Sequence, residues 1–210
     1  LDSIVPKKPY SMTLSLTDKI DTLTGFFGVG EKPSSSKDPY ALRRVALGII
    51  RITIENKKDL KIGDLISCSS NTYLDQGFNF SNDTLIKDIL DFLKDRFRYY
   101  LKEKNIRHDI IEAATKVLNL NSTSTVFEKA TSLNKIINKQ IGEDIVSSYK
   151  RASNILHSEV KDFNSELTNI ADPGIFKNDF EKDLYKKTNE LKKYFSGISK
   201  TRNFDELLVS

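Results

Sequence analysis

Asp38-Pro39-Tyr40-Ala41-Leu42-Arg43-Arg44-Val45-Ala46-Leu47-Gly48-Ile49-Ile50-Arg51-Ile52-Thr53-Ile54-Glu55-Asn56 reads as a single helix running from about Pro39 to Asn56. At 100° per residue, Leu42, Val45, Ala46, Ile49 and Ile52 form one stripe, and Leu47, Ile50 and Ile54 widen it. Only Arg44, Gly48, Arg51 and Glu55 are left for the opposite strip. A helix this apolar must be covered on most sides. Arg44 and Arg51, seven residues apart on the narrow polar face, share its one exposed or partner-facing seam.

The start of this helix is sharply marked. Asp38 can cap it through a side-chain oxygen, and Pro39 suits the first helical position, where a missing amide proton costs nothing. The preceding Gly30-Glu31-Lys32-Pro33-Ser34-Ser35-Ser36-Lys37 is too rigid and basic for a plain linker. Lys32, Lys37, Arg43 and Arg44 therefore surround a helix N-terminus whose amides and dipole favour a phosphate. The plain alternative is a well-capped surface turn.

Working outward, Leu14, Leu16, Ile20, Leu23, Phe26 and Phe27 recur near helical spacing, and Gly28 with Gly30 ends that segment. Ile62 to Cys68 reads as a short helix. Ser69 to Asn82 is polar and reads as a connection, with a subdomain boundary there. Thr84 to Lys104 follows with Leu85, Ile89, Phe92, Leu93, Phe97 and Tyr100 inward; Lys87, Asp91, Lys94, Arg98 and Lys102 lie on its solvated face. Arg96 projects into the apolar stripe and needs a partner, since an unpaired buried charge is expensive. Further helices are expected at about Arg107–Leu118, Thr125–Asn138, Glu143–Val160, Asp179–Phe195 and from Asn203 onward. No run shows sustained two-residue alternation. The expected fold is therefore all-α, a multi-helix bundle of two packed helical subdomains, residues 1–70 and 83–210.

A length of 210 residues with 38% hydrophobic content suffices for a buried core and argues against disorder. Lys+Arg 33 against Asp+Glu 29 leaves only +4, so bulk charge points to nucleic acid weakly and its distribution has to decide. The one cysteine, Cys68, cannot close an internal disulfide and is expected to be a buried inert thiol. The longest apolar run, Val45 to Ile54, is interrupted by Arg51 and is too short to cross a bilayer. The chain opens on Leu1 and stops as a helical pattern begins at Leu207-Leu208-Val209-Ser210, so it reads as a piece of something longer.

The constellations that could carry chemistry are few. Asp18 and Asp21 share a helical face and could hold a divalent metal, but His108 and His157 are the only imidazoles, and structural pairing is the simpler reading. His108 reads as a helix-start residue. Gly25, Gly28 and Gly30 follow no strand, so no nucleotide-binding loop is indicated, and no nucleophilic triad can be assembled. In Tyr149-Lys150-Arg151-Ala152-Ser153-Asn154-Ile155-Leu156, Ile145, Tyr149, Ala152 and Leu156 are expected to face inward, with Lys150, Arg151 and Asn154 outward. Such a trio can contact RNA phosphates and base edges, although a solvated face is the plainer account.

Leu16-Thr17-Asp18-Lys19-Ile20-Asp21-Thr22-Leu23, Gly25-Phe26-Phe27-Gly28-Val29-Gly30, Lys32-Pro33, Ser36-Lys37-Asp38-Pro39-Tyr40-Ala41-Leu42-Arg43-Arg44 and Ala46-Leu47-Gly48 together resemble the beta subunit of bacterial glycyl-tRNA synthetase. Arg96-Phe97-Arg98 and Lys150-Arg151-Ala152-Ser153-Asn154-Ile155-Leu156 fall in that family's order. The resemblance implies a helical subunit that binds tRNA(Gly) in a cytoplasmic heterotetramer of two alpha and two beta chains. It places ATP, Mg and the class II chemistry for glycine on the alpha subunit, with no catalytic residue, cofactor or metal here. It further implies that residues 1–70 are the end of an HD-like domain with its following segment, and that about 147–210 begin a DALR-type anticodon-binding bundle. Asp18 would match the last aspartate of the HD pattern. Where the family commonly has Thr-Gly-Ser, this chain has Ser34-Ser35-Ser36, which removes an easy left-handed position. Lys150, Arg151 and Asn154 are the leading candidates for RNA contact; Lys32, Lys37, Arg43, Arg44 and Arg51 are candidates for phosphate contact or an internal interface. The rivals are an HD-type metal-dependent phosphohydrolase using Asp18 and a structural scaffold for subunit assembly.

Overall fold

The structure, a computed structural model, describes residues 4–34, 36–118, 120–159 and 171–198. Among these the regular structure is helical throughout: α1 (Pro9–Gly28), α2 (Leu42–Glu55), α3 (Ile62–Asp75), α4 (Asn82–Glu103), α5 (His108–Lys116), α6 (Thr123–Ile136), α7 (Gln140–Glu159) and α8 (Asp179–Ile198). Two 3₁₀ turns, Leu120–Ser122 and Pro173–Ile175, complete it. The all-α expectation is met. The chain divides into two compact units, Leu1–Thr131 and Ser132–Ser210. That cut differs from the subdomain boundary expected within Ser69–Asn82, and the helix expected from Asn203 lies outside the described residues.

In the first unit α1 packs on α2, α3 and α4, and α4 also packs on α2, α3 and α5. The α2 pattern explains the arrangement: Leu42, Ala46, Leu47, Ile49, Ile50, Ile52, Thr53 and Ile54 are all buried. From α4, Leu85, Ile89, Leu93, Phe97, Tyr100 and Leu101 fill the other side of the core. Leu16, Ile20, Leu23, Thr24 and Phe27 are the buried face of α1, whereas Leu14, two residues before Leu16, is exposed. At Gly48 a Cβ would meet only the far end of a side chain from α1, lying 2.7 Å from Lys19 Cε.

Three local readings are corrected. α2 starts at Leu42 rather than Pro39, because Pro39 and Tyr40 form a turn closed by the Ala41 N–H donating to the Asp38 carbonyl at 3.1 Å. Tyr40 stacks on Phe26 at 4.2 Å, which pulls this turn onto α1, and Ala41 turns the chain back into the helix at φ 56°. α3 runs on to Asp75 through residues whose polarity suggested a connection. Packing overrides that polarity: Ser70 is buried and donates to Asn82 Oδ1, Asn82 Nδ2 donates to Asn71 Oδ1 at 3.2 Å, and the Tyr73 hydroxyl donates to Asp21 Oδ2 at 3.2 Å. Cys68 lies on the outer side of this helix, exposed rather than buried.

Long-range capping holds the end of the unit. Asp59 accepts from Ser124 N at 2.9 Å, from Thr125 N at 3.2 Å and from Thr125 Oγ1, satisfying amides at the start of α6 that have no partner inside that helix.

The second unit is built differently. α8 begins with a capping box in which Glu181 N donates to Asn178 Oδ1 at 2.9 Å, while the Glu181 carboxylate accepts from Asn178 Nδ2 at 3.1 Å and from Lys177 N. Along α7 the expected inward face is not covered by described residues: Ile145, Tyr149, Ala152 and Leu156 are all exposed, Tyr149 at 73%. Periodicity places these side chains on one face but does not supply the surface that would bury them.

Candidate nucleic-acid interface

The loop before α2 carries cations whose charges are largely answered within the protein. The Asp38 carboxylate accepts the Leu42 amide through Oδ1 at 2.8 Å and the Arg43 amide through Oδ2 at 3.0 Å. The anion at the α2 N-terminus is therefore Asp38 itself, which takes the donors an incoming phosphate would need. Arg43 donates through Nη2 to the Ser34 carbonyl and lies 4.0 Å from Asp38 Oδ2. Lys32 pairs with Asp88 on α4 and approaches the Phe27 ring at 6.0 Å.

Arg51, farther along α2, binds Glu55 through Nε at 2.9 Å, and only 17% of its side chain is exposed. The pair lies near the buried end of α4: burial raises the Tyr100 hydroxyl's pKa, Glu55 raises it further and Arg51 opposes the shift. Arg44 and Lys37 remain exposed, and among the described residues neither makes an ion pair.

Among the described residues Arg96 meets aromatic rings rather than a carboxylate. Its guanidinium lies 5.7 Å from the Phe92 ring centre and 5.8 Å from that of Tyr99, and among the described residues its buried Nε has no hydrogen-bond partner. The faces of two rings supply the negative electrostatic surface that the sequence required.

In the second unit Lys150, Arg151 and Asn154 are exposed on α7, and among the described residues neither Lys150 nor Arg151 makes an ion pair. Lys150 and Asn154 lie one helical turn apart on the same face, with Arg151 beside them. Two cations and an amide along one open face can reach a sugar–phosphate backbone and the base edges next to it.

A family model described as glycyl-tRNA synthetase beta subunit matches residues 1–116, more than half of the chain. The chain belongs to that family. Among curated relatives, this family member is 37% identical over 183 residues to the glycine–tRNA ligase beta subunit of Cereibacter sphaeroides, covering 86% of this chain and 26% of that protein. It is 34% identical over 195 residues to the beta subunit of Rickettsia prowazekii, covering 93% of this chain and 27% of that protein. The Rickettsia canadensis beta subunit is 40% identical over 174 residues, covering 82% of this chain and 24% of that protein. The chain thus spans about a quarter of the length of these relatives.

Within this family member, Asp18 does not sit in a metal-like environment. Its side chain is 72% exposed and its charged neighbour is Lys19 at 3.9 Å, so the surroundings supply a cation where a metal would need further donors. Asp21 instead accepts hydrogen bonds from Tyr73 and, at 3.4 Å, from Ser69 Oγ. Among the described residues no group of three or more His, Cys, Asp or Glu gathers to hold a metal. His108 is the first residue of α5, as its position in the sequence suggested. No helix among the described residues is long and apolar enough to cross a membrane.

The residues missed by sequence reasoning are those that consume the loop charges. Asp88 lies 56 residues from Lys32, and no local spacing links them. Ser34 acts on Arg43 through its backbone carbonyl, for which residue type gives no signal.

Proposed function

We propose that this chain is part of a subunit that binds tRNA(Gly) and positions it for ATP-dependent glycylation by a separate alpha subunit. In this reading ATP, Mg and glycine are handled by the alpha subunit, within a cytoplasmic assembly of two alpha and two beta chains, and this chain contributes grip rather than covalent or acid–base chemistry. Residues 1–70 are the end of an HD-like domain with the segment that follows it, and about 147–210 open a DALR-type anticodon-binding bundle. Family membership supports the reading, and the observation that carries it furthest is the open Lys150–Arg151–Asn154 face of α7.

Lys150 and Arg151 contact backbone phosphates, while Asn154 reaches sugar or base edges. Removing a phosphate contact removes released counterions, so the slope of log K against log salt flattens by roughly 0.7–0.9 per contact. Filter binding of tRNA(Gly) across a salt series by the K150E/R151E double variant tests this. Weaker binding with a flatter slope supports it, and the wild-type slope refutes it.

For the cations near α2, a scaffold role has its own support. Lys32–Asp88 ties the loop to α4, Arg43 braces the loop's own backbone, and Arg51–Glu55 lies beside Tyr100. Of these three side chains, Lys32 joins the loop to α4, while Arg43 and Arg51 make contacts within the loop and within α2. Lys37 and Arg44 are the members of that group placed for phosphate contact.

A further inference from the structure

Arg96 on α4 is held in place without being satisfied. Phe92 and Tyr99, whose ring centres lie 5.7 Å and 5.8 Å from its guanidinium, stand four residues before it and three after, so the rings flank it along one face of the helix. Phe92 is anchored in turn, because its ring meets Phe27 of α1 at 5.3 Å. Tyr99 is anchored through its hydroxyl, which hydrogen-bonds to Glu103. That bond raises the Tyr99 pKa, the Glu103 charge adds to it, and Arg96 opposes the shift.

A cation–π contact answers the charge of a guanidinium but uses none of its N–H donors. Nε is buried and, among the described residues, finds no acceptor. The side chain as a whole is only half-buried, and among the described residues none of its nitrogens makes a hydrogen bond or an ion pair. The Nη groups at its tip are therefore donors open to solvent. Acids of the same helix have other partners: Asp88 pairs with Lys32, Asp91 with Lys94 at 3.5 Å and Asp95 with Arg98 at 3.7 Å.

Covering the two rings does not call for an arginine. A methionine or leucine would lie over the same surface without burying an N–H that lacks an acceptor. An arginine here is accounted for by a ligand that takes the Nη donors and fits their planar fork.

We propose that Arg96 is an anion-binding residue that takes a backbone phosphate of RNA through its Nη groups, with the ring of Tyr99 beside it as a surface on which an unpaired base stacks. The proposal rests on the RNA-binding reading above and adds a contact on α4, in the first unit, to the α7 face of the second. A guanidinium already flanked by rings has little side-chain freedom left to lose on binding. Tyr99 is 46% exposed, and an open ring beside the fork suits a nucleotide, whose base can stack on it, better than the carboxylate of a protein.

The test measures binding of a labelled tRNA(Gly) transcript by the full-length protein across a salt series, with thermal melts of every variant alongside. Arg96→Met, which keeps the cover over both rings, is expected to melt close to wild type, to bind about tenfold or more weakly and to flatten the log–log slope by about 1. Arg96→Lys, which keeps a charge but not the fork, is expected to keep the slope while losing affinity. Tyr99→Leu should weaken binding at an unchanged slope. Wild-type affinity and slope in Arg96→Met overturn the proposal, and so does wild-type affinity in Arg96→Lys, because the fork would then be idle. A fall in the melting temperature of Arg96→Met large enough to account for the lost binding also overturns it, since the missing anion would then lie inside the protein. Loss of association with the alpha subunit at an unchanged RNA slope does the same, by making the anion a protein carboxylate. If wild type itself binds no tRNA, the underlying reading falls and this contact with it. If K150E/R151E flattens the slope and Arg96→Met does not, only this contact falls.

Discussion

Asp38 holds the Leu42 amide at 2.8 Å through its side chain, four residues ahead of it and across the left-handed turn at Ala41. Capping from that distance needs the turn, and the turn is held by Tyr40 stacking on Phe26. Asp38→Ala should therefore lower stability by about 1 kcal/mol, while Asp38→Asn, which keeps an acceptor, should lose less. Urea denaturation of both variants checks this, and equal losses would show that charge rather than the cap is what matters.

Two glycines predict opposite outcomes. A Cβ at Gly48 meets Lys19 Cε, the far end of a flexible chain, so Gly48→Ala should be neutral or stabilising by up to about 1 kcal/mol. A Cβ at Gly25 meets the Tyr73 hydroxyl at 2.6 Å and its ring carbon at 3.1 Å, so Gly25→Ala must displace a rigid ring that also binds Asp21. Gly25→Ala should destabilise, and less so in a Tyr73→Phe background. Thermal melts of the four proteins decide it.

Ile89 and Phe97 are fully buried on α4. Truncation to alanine should cost about 2–5 kcal/mol at Ile89 and about 3–5 kcal/mol at Phe97, read from chemical denaturation. Arg96 nearby should behave differently, because aromatic rings rather than a carboxylate answer its charge. Arg96→Met should change stability by no more than about 1 kcal/mol. A loss of several kcal/mol would instead reveal a carboxylate partner.

Asp109 carries a pH signature. Its hydrogen bond from Arg107 holds the carboxyl below its ordinary pKa, reinforced by the Ile110 amide and opposed by slight burial. With the folded pKa depressed, its stabilising contribution is complete above the unfolded value of about 3.9 and disappears as pH falls through the folded value. Because the pair is exposed, the effect on stability is small, and an NMR titration is the suitable measurement. Arg107→Ala should move the Asp109 midpoint upward, and an unchanged midpoint would contradict the assignment.

How much of this was legible in sequence depends on whether the deciding partner was local. The α2 stripe was readable because Leu42, Ala46, Ile49 and Ile52 recur at helical spacing, and all four are buried. The start of α2 was not, since Ala41 in a left-handed turn is a consequence of Tyr40 meeting Phe26. α3 was read too short because Ser70, Asn71 and Tyr73 look like loop residues until Asn82 and Asp21 are brought to them. Among the candidate cations, the sequence identified the right residue types but could not show that Asp38 occupies the helix N-terminus or that Asp88 answers Lys32. The α7 trio is outward as periodicity required, yet the apolar residues on its other face are exposed as well.

The proposed division of labour is tested most directly on the full-length beta subunit together with the alpha subunit proposed as its partner, by comparing two reactions in the K150E/R151E variant. Glycine-dependent ATP–pyrophosphate exchange, which does not require tRNA to be held, should proceed at the wild-type rate, while aminoacylation should show a raised KM for tRNA(Gly). Aminoacylation with wild-type KM and kcat would contradict the account, as would loss of the exchange reaction together with it.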